Sequence, residues 1–166
     1  MFLKRLDEQV WAALISLAQV TLTTTPNIGK KLLTLYVILP QVFLSTKTGA
    51  LIICERKTKL GEQIATGTIL NCIPSTAIFG NIFFPNTPLH DGAVIIRDGI
   101  ILAAGCFLPR PQKDELINKQ LGSRHRAAIG MSENSDAIVV VVSEETGNIS
   151  VRQKRKRITE DNSRTL

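Results

Sequence analysis

Two short runs of the chain are apolar along almost their whole length, Ala50–Glu55 (ALIICE) and the valine-rich Ala137–Ser143 (AIVVVVS). A strand with one face in water alternates apolar and polar residues, whereas a strand buried on both faces is apolar throughout. We therefore predict that both runs are buried strands and that the second is central. A sheet containing such strands needs other elements packed against both of its faces.

A hairpin is indicated between these two runs. Ala93–Arg97 and Ile100–Phe107 are apolar, β-prone segments joined by Asp98-Gly99, a dipeptide that strongly favours a tight two-residue turn. A further strand is expected at Ile149–Arg152, after the turn-forming residues that follow the valine-rich run.

Helical spacing of apolar residues appears in Ser75–Phe84, and Ser123 is a candidate N-cap for a helix that runs to about Ser132. Glu62–Thr68 is predicted to be a turn or a short edge element. Because helices and strands alternate and a hairpin is mixed in, we predict an α/β fold. It would be a single domain with a mixed, twisted β-sheet flanked by helices, plus an N-terminal helical segment.

Three regions are distinguished along the chain: an N-terminal helical segment at residues 1–48, a main domain at residues 49–151 and a basic polar tail at residues 152–166. The first region contains two apolar blocks of 13 residues, Val10–Leu22 and Leu32–Leu44. Such a block spans about 20 Å as a helix, against about 30 Å for the hydrocarbon core of a bilayer. A helix packed on its own domain and a membrane-proximal helix both remain open, and no signal peptide is recognised.

The net charge of +6 is concentrated in the tail, where residues 151–166 hold six basic and two acidic residues and so contribute +4. The domain itself is nearly balanced, and no nucleic-acid partner is expected for it. The tail is interpreted as solvated, with contact to an anionic membrane or nucleic acid as the alternative. Three scattered cysteines, Cys54, Cys72 and Cys106, argue against a disulfide framework or a structural zinc site and favour a cytoplasmic location.

Both histidines lie in short polar clusters. His125 stands between two arginines in Ser123-Arg124-His125-Arg126, at the predicted start of a helix. The free N–H groups of a helix N-terminus and two guanidinium groups suit a polyphosphate, and a salt-bridged or solvated helix start is the alternative. His90-Asp91-Gly92 precedes a predicted strand, where it could hold a divalent cation or accept a proton from a hydroxyl, or form a plain turn.

A third polar cluster, Ser143-Glu144-Glu145, follows the valine-rich run and could supply a metal ligand or simply be solvated. One anion-seeking and one metal-seeking cluster together suggest metal-assisted chemistry on a nucleoside triphosphate. The chain contains neither GxxxxGK[ST] nor GxGxxG, so such chemistry would not use a P-loop or a dinucleotide-binding fold.

Two long segments, Pro85–Pro109 and Leu121–Val151, resemble the catalytic domain of diadenylate cyclases. That family carries a DGA motif and an RHR motif, which here are Asp91-Gly92-Ala93 and Arg124-His125-Arg126. The upstream GALIICER at Gly49–Arg56 and the TG within Ala65–Thr68 also fit. The resemblance covers about 100 residues, roughly Gly49–Val151, and implies a diadenylate-cyclase-type fold.

The resemblance also implies a reaction, the condensation of two ATP molecules into cyclic di-AMP with release of two pyrophosphates. Each subunit of a face-to-face homodimer, or of a higher oligomer, would bind one ATP, with Mg²⁺, Mn²⁺ or Co²⁺ as the cofactor. It assigns catalytic roles to Asp91, Arg124 and His125, metal ligation to His90 and Asp91, and ATP contacts to Gly92, Ala93, Phe107, Leu108, Ser123, Arg124, His125, Arg126 and Glu145.

Two alternatives accompany this interpretation. A cyclase-like domain could bind ATP or cyclic di-AMP without turnover and act as a regulatory module. Members of the family that are bound to membranes carry transmembrane helices ahead of this domain, so this chain is expected to be either a soluble form or the cytosolic part of an enzyme whose membrane region is absent from it.

Overall fold

The computed structural model of the protein describes residues 48–112 and 121–153. The predicted N-terminal helical segment, apart from Thr48, and the basic tail beyond Gln153 lie outside the described residues. Within the described part of the chain, no helix is long and apolar enough to span a membrane. Six strands form one sheet: β1 (Ala50–Cys54), β2 (Thr68–Cys72), β3 (Ala93–Arg97), β4 (Ile100–Cys106), β5 (Ile138–Val142) and β6 (Ile149–Arg152).

The strand order is β2-β4-β3-β1-β5-β6, and the sheet is mixed as predicted. Strands β1 and β3 are parallel neighbours at the middle of the sheet, whereas the other neighbouring pairs are antiparallel. Every residue of β1 and of β5 is buried, which confirms both apolar runs as buried strands. The valine-rich strand is an interior strand between β1 and β6, and it lies beside the central parallel pair.

Three helices complete the described fold: α1 (Gly61–Ala65), α2 (Thr76–Ile82) and α3 (Ser123–Asn134). The aromatic rings of Phe79 and Phe83, in and just after α2, pack on one face of the sheet. Met131 of α3 and Ile64 of α1 pack on the opposite face. The two faces are therefore covered by different helices, as strands that are apolar throughout require.

The helix predicted at Ser75–Phe84 is confirmed, and Ser75 caps it by accepting a hydrogen bond from the backbone N–H of Ile78. The Asp-Gly hairpin is confirmed as well. Asp98 and Gly99 both have positive φ, at 50° and 76°, which is the backbone conformation of a type I′ turn.

The expectation that Ser123 caps α3 is wrong. Gly122 is the N-cap, and Ser123 is the first residue inside the helix. The N–H of Arg126 donates to the carbonyl oxygen of Gly122 over 3.2 Å in the first turn, and the N-cap residue, a glycine, has no side chain that could cap the helix. The hydroxyl of Ser123 is therefore not used in capping.

The region predicted as a turn or short edge element forms α1, and the strand that follows it, β2, was not predicted. Among the described strands it lies at one edge of the sheet and pairs only with β4. All five of its residues are exposed or half-buried, and its Asn71 has a positive φ of 49°. An edge strand with one neighbour and little burial leaves no clear hydrophobic pattern in the sequence.

One end of the sheet collects several loops. The start of β1 and the start of β3 meet there because these strands are parallel. The ends of β4 and β5 reach the same end because each runs antiparallel to its neighbour, so that Cys106 pairs with Ala93 and Val142 pairs with Ala50.

Candidate active site

A pocket of about 890 Å³ opens at this end of the sheet, a volume that suits a ligand of nucleotide size. It brings together residues that are far apart in the sequence, from the loop before β3, the loop after β4 and the start of α3. The predicted site residues that line it are His90, Asp91, Gly92, Phe107, Leu108, Ser123, Arg124 and Arg126.

A smaller pocket of about 240 Å³ lies beside the first. His125 and Glu145 line this smaller pocket, and Ser123 and Arg124 line both pockets. Glu144 also lines both pockets. It belongs to the predicted acidic cluster Ser143-Glu144-Glu145, in which Glu145 was the residue expected to contact ATP. The start of α3 and the residues after β5 therefore form the wall between the two pockets.

Ala93 is the predicted contact that lines neither pocket. It is fully buried at the start of β3, where it pairs with Cys106 of β4 and belongs to the core face that also holds Met131. The structure thus places Ala93 under the site, where its small side chain is part of the packing.

Arg124 and Glu144 form an ion pair on the wall between the pockets. The Nη1 of Arg124 donates to Oε2 of Glu144 over 2.7 Å, and the side chains are 19% and 63% exposed. Because the Glu144 side chain is largely exposed, water can solvate its carboxylate when a phosphate oxygen takes its place at Arg124. The nearby Arg126 donates from Nε to the carbonyl oxygen of Leu121, which fastens the loop before α3.

His90 and Asp91 offer two metal-binding groups side by side. The Nδ1 of His90 contacts the carbonyl oxygen of Thr87 and donates to it, so the tautomer that can bind a metal is the one with its lone pair on Nε2. The carboxylate of exposed Asp91 forms no hydrogen bond or ion pair with the described residues.

An imidazole nitrogen and a free carboxylate oxygen fit a divalent cation, which is the chemistry predicted for these two residues. Among residues 48–112 and 121–153, no group of three or more His, Cys, Asp or Glu side chains is arranged for a metal. A cation at His90 and Asp91 would therefore need further ligands, such as water or phosphate oxygens.

Gly92 is needed for the shape of this loop. Its φ of 114° is a conformation that side chains disfavour, and a Cβ at this position would lie 2.7 Å from the carbonyl carbon of Gly105. The glycine lets the His90-Asp91 loop lie directly against the end of β4.

Phe107 presents an aromatic ring at the edge of the larger pocket, where it is 67% exposed. Its backbone N–H donates to Oγ1 of Thr66 over 2.8 Å, and the same hydroxyl donates to the carbonyl oxygen of Gln63 over 2.6 Å. Thr66 is a residue that sequence reasoning missed as part of the site. Only its place in the TG pair of the resemblance marked it, because the contact spans 41 residues.

His125 lies half-buried at the smaller pocket. Burial lowers its pKa below 6.5, and the positive charge of Arg152 lowers it further, while Glu145 acts in the opposite direction. Its imidazole is therefore mainly neutral at pH 7 in the absence of an anion. A bound phosphate would favour the protonated form.

The mixed α/β sheet carries, at one end, a pocket lined by the arginine-bearing helix start and by the neighbouring His-Asp pair. A family model described as "DisA bacterial checkpoint controller nucleotide-binding", the DAC family, matches residues 41–157. This match spans well over half of the chain, and the protein belongs to this family.

Curated relatives bear names that agree with the resemblance. The chain is 48% identical over 118 residues to the cyclic di-AMP synthase CdaA of Bacillus subtilis, covering 69% of this chain and 43% of that protein. It is 49% identical over 104 residues to the diadenylate cyclase CdaS of Bacillus thuringiensis, covering 63% and 51%. The chain therefore spans about half the length of the curated relatives it matches.

Solved structures share the fold. A double mutant of DacA from Staphylococcus aureus matches with a TM-score of 0.70 and 41% identity, covering 78% of this chain and 85% of that chain. A protein from Bacillus cereus described as a hypothetical membrane spanning protein matches with a TM-score of 0.61 and 34% identity, covering 88% and 86%. The predicted diadenylate-cyclase-type fold is confirmed by these matches and by the family model.

Proposed function

We propose that the protein is a diadenylate cyclase, which condenses two ATP molecules into cyclic di-AMP and releases two pyrophosphates. The observation that carries this proposal is the meeting of the His90-Asp91-Gly92 loop and the Ser123-Arg124 helix start in one pocket of nucleotide size. The names of the relatives and the nucleotide-binding family support the same activity.

In this proposal the nucleotide lies with its base at the ring of Phe107 and beside Leu108, at the outer part of the larger pocket. Aromatic rings bind bases by stacking, and an exposed ring is ready to do so. The phosphates lie towards the start of α3, where Ser123, Arg124 and His125 supply hydrogen-bond donors. Arg124 exchanges its partner Glu144 for phosphate oxygens.

The reaction forms a bond between the 3′-oxygen of one ATP and the α-phosphorus of the other, and it breaks the bond from that phosphorus to the pyrophosphate oxygen. The carboxylate of Asp91 accepts the proton of the attacking hydroxyl. Arg124 and protonated His125 stabilise the negative charge that develops on the transferred and leaving groups. A divalent cation held by His90 and Asp91 supplies charge neutralisation of the phosphates when it is bound.

Two copies of the chain complete the proposed site. The larger pocket has room for one nucleotide, and Asp91 is exposed at its border. A face-to-face pair of subunits brings a second ATP to this border, and twofold symmetry then makes the two bond-forming steps equivalent. The free state of the described cysteines is compatible with the proposed cytoplasmic location, where ATP is available.

The test is incubation of the full chain with ATP and Mn²⁺, Mg²⁺ or Co²⁺, followed by chromatography for cyclic di-AMP. We expect product with at least one cation, and a rate per molecule that falls on dilution as the subunits separate. A folded protein that binds ATP but makes no product at any concentration would instead be the regulatory module.

Asp91→Asn tests the assigned base, and Asp98→Asn is its matched control. Asp98 lies in the hairpin turn at the far end of β3, where Asn-Gly forms the same type I′ turn. We expect Asp91→Asn to abolish product with ATP binding largely retained, and Asp98→Asn to keep the native rate. Full activity of Asp91→Asn would remove the proposed role of this carboxylate.

A further inference from the structure

Gly49, the residue before β1, lies in a place where the backbone does not call for glycine. Its φ is outside the positive region that side chains avoid, and the residue is buried. An alanine could therefore adopt the same backbone conformation. What distinguishes glycine from alanine at this position is therefore the space that a side chain would occupy.

That space is filled by the tip of Arg124. A Cβ atom built at Gly49 would lie 2.6 Å from Nη1 of Arg124, 2.8 Å from its Cζ and 3.1 Å from Cβ of Glu144. The first two distances are shorter than non-bonded contacts allow, so a methyl group and the guanidinium cannot occupy this place together. The guanidinium of Arg124 lies in the space that a side chain at position 49 would occupy.

Arg124 is thus held from three directions. Its backbone is fixed in the first turn of α3, Glu144 binds Nη1 from the segment after β5, and Gly49 borders the guanidinium from the start of β1. The position they define is the wall shared by the two pockets.

We propose that Gly49 is a positioning residue for Arg124. Because Gly49 has no side chain, the guanidinium of Arg124 can lie at the wall between the two pockets, where it contacts the phosphates of the bound nucleotide. This inference rests on the proposed function, because it concerns the same phosphates. Gly49, a residue without a side chain, would then be one of the residues that determine the affinity for the triphosphate.

The expected consequence of a side chain here is local. The atoms that a methyl group would meet at Gly49 belong mainly to the flexible end of Arg124, which can swing away. At Gly67, by contrast, a Cβ would lie 2.6 Å from the backbone oxygen of Ala104, so the sheet itself would have to move. Gly49→Ala is therefore expected to fold and to displace the guanidinium.

The test compares the binding of two probes to the full chain by calorimetry in the presence of Mg²⁺. One probe is 3′-deoxyATP, which carries the triphosphate but lacks the attacking hydroxyl, and the other is adenosine, which lacks phosphate. We expect Gly49→Ala to weaken 3′-deoxyATP about tenfold or more, the loss typical of a charge-assisted hydrogen bond, with adenosine unchanged.

A double-mutant cycle shows whether Gly49 acts through Arg124. In an Arg124→Ala background the space beside Gly49 is already empty, so Gly49→Ala should weaken 3′-deoxyATP no further. Gly80→Ala is the matched control, because a Cβ at this position of α2 meets no described atom within 4 Å outside its own helix backbone and chain neighbours. It should leave the affinity for both probes at the native value.

The outcomes separate this inference from the proposed function. A native chain that binds neither probe refutes both. If the native chain binds 3′-deoxyATP and Gly49→Ala binds it equally well, Gly49 does not position Arg124 and the proposed function stands. Equal weakening of both probes, or an undiminished effect in the Arg124→Ala background, also overturns the positioning role.

Discussion

The ion pair between Glu55 and Arg97 at the end of the sheet opposite the pocket offers a sharp test of how the central strands are held together. Glu55 follows β1, Arg97 ends β3, and the carboxylate is fully buried with a side-chain exposure of 0%. Arg97 binds it in a bidentate manner, with Nε at 2.7 Å and Nη2 at 2.8 Å. The backbone N–H of Leu60 and the Nζ of Lys59 complete the shell at 2.9 Å and 3.1 Å.

Arg97→Ala removes two of these four hydrogen bonds and the strongest compensating charge. Breaking a buried pair by deleting one partner typically costs 3–5 kcal/mol, roughly, because the other charge is left buried. Leu60 and Lys59 still bind the carboxylate, and Arg97 is 34% exposed, so water can enter its place. We therefore expect the lower end, about 3 kcal/mol, which lowers the melting temperature by about 10–20 °C in a domain of this size.

The loss should depend on pH in a defined direction. Burial raises the pKa of Glu55, but the hydrogen bonds from Arg97, Leu60 and Lys59 outweigh it and hold the pKa below 4.5. A carboxyl with a lowered folded-state pKa stabilises the fold above its unfolded pKa, and this contribution is lost as the pH falls through the folded pKa. Arg97→Ala removes two of the hydrogen bonds that lower the pKa of Glu55, so the effect of burial raises this pKa. The carboxyl then takes up its proton at a higher pH than in the native protein.

Urea unfolding of the two proteins from pH 7.5 down to pH 4 measures this difference. The deficit of Arg97→Ala should be largest at neutral pH and should shrink as the pH approaches 4, since protonation relieves the unpaired charge. Lys57→Ala, at an exposed position, removes the same charge without touching Glu55 and should cost little. A deficit that is constant with pH, or one equal to that of Lys57→Ala, would refute the reasoning.

Two further predictions concern the site, and a third concerns the packing of α3. Thr66→Val removes the acceptor for the N–H of Phe107 and should raise the KM for ATP about fivefold. Thr66→Ser keeps the hydroxyl, so its KM should stay near the native value. Equal kinetics of the two variants would contradict this prediction. Gly130→Ala would press a methyl group on the carbonyl oxygen of Pro109 and should lower the free energy of unfolding by about 1–3 kcal/mol in urea titrations, an expectation that native stability would exclude. Burial and the charge of Arg152 lower the pKa of His125 below 6.5, so the affinity for 3′-deoxyATP should rise as the pH falls through this pKa. His125→Gln should lose this rise. If the pH dependence of binding is the same in His125→Gln, His125 does not contact the phosphates.

The elements that the sequence predicted correctly are those with strong local patterns. Unbroken apolar runs predict β1 and β5 because only burial on both faces tolerates them, and Asp98-Gly99 predicts the hairpin because few dipeptides accept two positive φ values. The edge strand β2 was missed because its pairing depends on β4, its one neighbour in the described part of the chain. The start of α3 was misplaced by one residue because a hydroxyl before a helix is only one of several ways to begin the first turn.

By itself, the sequence determined the sheet-forming runs, the turn and the residue types able to bind phosphate and metal, since these follow from local burial and side-chain chemistry. The tertiary structure decided which of them share a site. The parallel pairing of β1 with β3 brings Gly49 and Asp91 to the same end, and the antiparallel β5 returns Glu144 to the guanidinium of Arg124. Such contacts depend on strand direction and register across dozens of residues, which no local pattern records.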